Sequence, residues 1–96
     1  MEDLYMILSI SYDLHNHGRD YDSVIATIKT ATSWAHPQGS LWLVDTTLSP
    51  EQWVAKLRNA GDEDDEYFVC QLAHNWWSQH MNKDVIAWLK SSSRNW

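Results

Sequence analysis

The sequence holds a single cysteine, Cys70, so no disulfide can form within the chain. A chain this short without cross-links must rely on an apolar core, and a lone thiol in an apolar run fits a reducing interior, so a cytoplasmic protein is expected. Lysine and arginine number 7 against 13 aspartates and glutamates, a formal charge of -6. So few cations exclude the broad basic surface with which a general nucleic-acid binder neutralises phosphates. Long apolar runs are missing too. Residues 4–10 are too few to cross a bilayer and follow acidic rather than basic residues, so neither a membrane span nor a signal peptide is expected. With 2 prolines and 3 glycines there is no linker or low-complexity stretch, and the 96 residues are expected to form one domain, 1–96.

What is present is periodic. Residues 4–13 read as a strand, with Met6, Leu8, Ile10 and Tyr12 on one face and Ile7, Ser9, Ser11 and Asp13 on the other. Asp20 is placed to cap a helix in which Tyr21, Val24, Ile25, Ile28 and Ala31 form the apolar stripe. Two short strands are expected around residues 32–36 and 41–46, joined by a turn over Pro37, Gln38, Gly39 and Ser40.

Ser49 as N-cap, Pro50 at the first helical position and Gln52 three residues past the cap spell a capping box, with Leu48 and Trp53 as a hydrophobic staple. Trp53, Val54, Leu57 and Ala60 give that helix a buried stripe, and Gly61 is expected as a left-handed residue ending it. Residues 66–73 read as a fourth strand, and Asn82 is placed to cap a C-terminal helix with Val85, Ile86, Trp88 and Leu89 on its apolar face. The order is βαββαβ with an extra C-terminal helix, an α+β sandwich of ferredoxin-like type with its core at about 4–74 and a helical tail at 75–96. The sheet face left open calls for a cover, and a second copy of the chain is one answer.

At Ile10-Ser11-Tyr12-Asp13-Leu14, then Asp20-Tyr21, then Ser33-Trp34-Ala35-His36 and Ser40-Leu41-Trp42-Leu43-Val44, the sequence resembles the small bacterial SinR-family proteins. These are related to the small ferredoxin-like subunit of the CRISPR adaptation complex and to VapD-type toxins. The resemblance implies a homodimer in a bacterial host cell, with the strand-ending Asp13 of each subunit near the two-fold axis, where the pair holds Mg²⁺ in nuclease-active relatives. Such an ion activates water and neutralises charge on a phosphodiester, which would make Asp13 both a metal ligand and a catalytic residue. The tail departs from the adaptation subunit, whose last strand crosses to its partner.

Asp13 competes with a plainer role as a turn former after a strand. His15 and His17 stand two and four residues beyond it, a spacing that closes around zinc only if His36, His74 or His80 joins; a solvated loop is the plainer reading, and the letters His-Asn-His do not make a ββα-metal nuclease. The 7 tryptophans are too many for so small a core, which makes Trp76, Trp77 and Trp96 candidates for a dimer or partner surface. The run Asp62, Glu63, Asp64, Asp65, Glu66 is a loop that can present negative charge to a basic groove of another protein. Two functions are therefore expected in competition. One is a protein-binding module of defence or anti-defence type, such as an anti-CRISPR-like inhibitor that occupies a prokaryotic defence complex. The other is a SinR-like metal-dependent endoribonuclease acting on RNA.

Overall fold

Alternation in the first apolar run makes it a strand, β1 (Met6–Asp13), whose Leu8, Ile10 and Tyr12 enter the core on one side while Ser9, Ser11 and Asp13 stay on the other. The computed structural model describes residues 4–14 and 17–94, and only the backbone of residues 17–20. Six further elements follow: α1 (His17–Ile28), β2 (Ser33–Gln38), β3 (Leu41–Thr46), α2 (Pro50–Ala60), β4 (Glu66–Gln71) and α3 (Lys83–Lys90). The four strands form one antiparallel sheet in the order β2-β3-β1-β4. The central strand sets the register, with Ile10 opposite Trp42 on β3 and opposite Val69 on β4.

Helices α1 and α2 cover one face of the sheet. Val24 and Ile28 from α1 and Trp53 and Leu57 from α2 are wholly buried against Leu8, Ile10, Trp42 and Val44. The two buried indoles are satisfied: Trp42 Nε1 donates to the Tyr12 hydroxyl and Trp53 Nε1 to Thr46 Oγ1, each at 3.1 Å. The capping box forms as expected. The Gln52 amide donates to Ser49 Oγ at 3.1 Å, and the Ser49 amide donates back to Gln52 Oε1 at 2.8 Å.

Local expectations needed correction in several places; β1 begins at Met6 rather than at residue 4, and Ala31 lies beyond the end of α1 at Ile28. Helix α1 starts at His17, so Asp20 lies inside its first turn and is not its cap. Pro37 belongs to β2 rather than to the turn. It is tolerated because β2 is an edge strand and the pairing with β3 is irregular between Ala35 and Gln38, so no ladder donor is lost. Gly61 is extended, not left-handed, with φ -106°. Its lack of a side chain is needed for space: a Cβ would collide with the Tyr67 hydroxyl and lie 2.6 Å from Asp65 Oδ2. Finally, the fourth strand ends at Gln71, two residues short of the expected boundary.

Helix α3 answers part of the open-face problem from within the chain. Capped by Asn82, whose Oδ1 accepts from the Asp84 amide at 2.7 Å, it presses Val85 and Leu89 onto Ala35 and Leu43 in a second apolar cluster. The tail then turns back. Arg94 stacks 4.1 Å from the Trp88 ring centroid, and its guanidinium donates to Asp45 Oδ2 at 2.6 Å, closing a buried ion pair on β3. Among the described residues no helix is long and apolar enough to cross a membrane.

Candidate functional site

Because α3 lies over β2 and β3, the other half of that sheet face is left to β1 and β4. Strand alternation decides what it displays: Ser9, Ser11 and Asp13 from β1, and Glu66, Phe68 and Cys70 from β4, paired as Ser9 with Cys70, Ser11 with Phe68 and Asp13 with Glu66. Ser9 Oγ and Cys70 Sγ are in hydrogen-bond contact at 3.1 Å, and Ser11 Oγ donates to the Phe68 carbonyl at 3.4 Å. Phe68 is 69% exposed. None of these six residues is basic, so the half-face is acidic at one end and apolar along β4.

Asp13 is exposed at the end of β1 and shares a concavity of about 420 Å³ with Glu66, Ser11 and Phe68. Its carboxylate and that of Glu66 are hard oxygen donors of the kind Mg²⁺ takes. Mg²⁺ is commonly held by one or two carboxylates together with waters and substrate phosphates, and among the described residues no group of three or more histidines, cysteines, aspartates or glutamates comes together for a metal. The donor chemistry of Asp13 and Glu66 therefore suits Mg²⁺.

The histidines do not converge either. His15 lies outside the described residues, and His17 is placed in α1 by its backbone alone. His36 stacks on Trp42 with ring centroids 3.7 Å apart, on the α1 and α2 side of the sheet. His74 and His80 are exposed.

The acidic run is divided by the fold. The Asp62 amide donates to Asp65 Oδ2 at 2.8 Å and the Asp65 amide to the Asp62 carbonyl at 3.1 Å, so these two tie a turn. Glu63 and Asp64 face solvent, while Glu66 opens β4 on the half-face. The tryptophans divide as well. Trp76 is half-buried beside the α3 cluster, whereas Trp77 is 96% exposed on the rim of a cleft of about 610 Å³ that Ile86, Leu89 and Lys90 also line. Trp96 lies outside the described residues. The sequence expectations place neither Phe68 nor Cys70 on a displayed face, although the alternation of Tyr67, Val69 and Gln71 with Phe68 and Cys70 holds the signal.

The chain is thus a small α+β protein with a four-stranded antiparallel sheet and three helices among its described residues. No family model matches it, and neither a curated protein nor a solved structure does.

Proposed function

We propose that the chain is a ferredoxin-like homodimeric binding module that acts by occupying a protein partner, in the manner of an anti-CRISPR-like inhibitor of a prokaryotic defence complex. The strand order β2-β3-β1-β4, with α1 and α2 on one face, supports the ferredoxin-like reading. One observation carries the functional part: Phe68 and Trp77, 69% and 96% exposed, stand in water on the side of the sheet that α3 covers incompletely. Exposing two large aromatic rings is unfavourable unless something covers them, and aromatic anchors are the residues that dominate protein interfaces.

The charge beside Phe68 selects the class of partner. With Asp13 and Glu66 at one end and Glu63 and Asp64 in the adjoining loop, the surface complements a basic protein groove and repels phosphate. Replacing both exposed rings, Phe68→Ser with Trp77→Ser, leaves both apolar clusters intact. Capture of partner protein from a prokaryotic host lysate should fall at least tenfold. Unchanged capture would sink the proposal.

The endoribonuclease reading draws on the meeting of Asp13 with Glu66 across β1 and β4. It would replace the binding proposal if RNA cleavage required Mg²⁺ and disappeared in Asp13→Ala.

A further inference from the structure

The two edges of the sheet are built differently. On β2 the pairing with β3 is irregular and the strand carries Pro37, both devices that stop a further strand from adding. Edge strand β4 has neither: its residues Glu66, Tyr67, Phe68, Val69, Cys70 and Gln71 pair with β1 without a register shift.

The phase of that ladder identifies the groups that point outward. The Leu72 amide donates to the Ile7 carbonyl at 2.8 Å, which makes Ile7 with Leu72 a hydrogen-bonded pair and, by alternation, Ser9 with Cys70 and Ser11 with Phe68. The N–H and C=O of Val69 and Gln71 therefore face away from β1, and among the described residues they take part in no hydrogen bond.

We infer that β4 pairs antiparallel with β4 of a second copy about a two-fold axis at Val69. This rests on the homodimer part of the reading above and not on the protein partner. The register places Val69 opposite Val69, where two symmetric N–H···O=C bonds form, and Phe68 opposite Cys70 on the half-face.

Charge selects the orientation. Glu66 is the one charged residue of β4, and a parallel pairing in register would set it against its own copy, whereas the antiparallel one sets it opposite Leu72. The result is one eight-stranded sheet whose outer edges are both β2, the edge already defended.

The test uses the full chain. Sedimentation equilibrium of the wild type should give a dimer. Gln71→Pro removes an outward N–H at an exposed edge position and no bond to β1; Phe68→Lys puts a charge at the seam. Each should raise the dimer Kd at least tenfold, with circular dichroism confirming the fold.

Register is read by oxidation. Phe68→Cys should form a covalent dimer through Cys70 of the other subunit, because opposed residues of a non-hydrogen-bonded pair stand about 4.5 Å apart at Cα. Wild-type Cys70, diagonal to its own copy, should not. A monomeric wild type would overturn both the dimer and the edge pairing. A dimer indifferent to Gln71→Pro and Phe68→Lys would overturn the edge pairing alone, leaving a face-to-face dimer. A wild-type disulfide dimer through Cys70, or addition of a foreign extended peptide to β4 with no self-association, would also overturn it.

Discussion

Tyr12 shows how much one side chain can couple. Its ring is buried in the main cluster and meets Tyr21 edge-on, with centroids 6.3 Å apart. Its hydroxyl accepts from the Trp42 indole at 3.1 Å and donates to the Gly39 carbonyl at 3.4 Å, joining the core to the β2–β3 turn. Burial raises its pKa above the usual phenol value, and the hydrogen bond from Trp42 offsets part of that rise. A folded pKa above the unfolded one means that the native state holds its proton longer. Tyr12 therefore contributes its full stabilisation below the unfolded pKa of about 10 and loses it as pH climbs from there through the folded value. Urea unfolding should show stability falling above about pH 10, with a shallower fall in Tyr12→Phe. Near neutrality the same variant should cost about 1–2 kcal/mol, because the buried Trp42 N–H loses its acceptor. An identical alkaline slope in the two proteins would exclude Tyr12 as the source. The period-two pattern put Tyr12 on the core face. Its hydroxyl partners were not legible, since they depend on a turn 27 residues away.

Among the elements, α2 was the most legible because its signals are local. Capping box and staple all lie within the five residues from Leu48 to Gln52 and the first turn that follows. Ser49→Ala should cost about 1 kcal/mol in chemical denaturation, and Gln52→Ala less, because the cap's own bond to the Gln52 amide survives in the second variant. Equal losses would mean that the box acts as one unit. Gly61 shows the limit of local reading: glycine after a helix suggests a left-handed cap, yet here the constraint is the approach of Tyr67 and Asp65. Helix α1 began earlier than expected because His17, Gly18 and Arg19 carry no apolar periodicity to announce a helix. The stripe on α3 was legible, but its destination was not, since periodicity identifies an apolar face without identifying what it meets. For the same reason the joining of Asp13 to Glu66, and the display of Phe68 beside Ser11, had to await the β1–β4 register, a contact between residues more than 50 apart in sequence.

At the scale of the molecule, the sheet separates two apolar clusters of unequal size, and the smaller one depends on the tail for its closure. Asp45 is where that closure is anchored. It sits on β3, 5% exposed, on the α3 side of the sheet, with Oδ2 held by Arg94 and Oδ1 buried without a hydrogen-bond partner. Desolvating two charges is costly, and a half-satisfied carboxylate makes the pair a poor source of stability compared with apolar packing of the same volume. What it supplies is geometry: the Arg94 Nε donates to the Trp88 carbonyl at 3.0 Å while its guanidinium lies over the Trp88 ring, so one residue fixes the end of α3 to the sheet. Removing one partner should then cost far more than removing both. Arg94→Met strands the buried Asp45 charge and should cost about 3–5 kcal/mol. The double variant with Asp45→Leu should recover most or all of that loss, a coupling readable in a double-mutant cycle by urea denaturation. If the double variant is as unstable as the sum of the singles, the two residues are not coupled and the tail is held by the α3 cluster alone. If the loss is recovered, partner capture by the double variant tests whether the fixed tail matters to the Trp77 cleft, which Arg94 also lines.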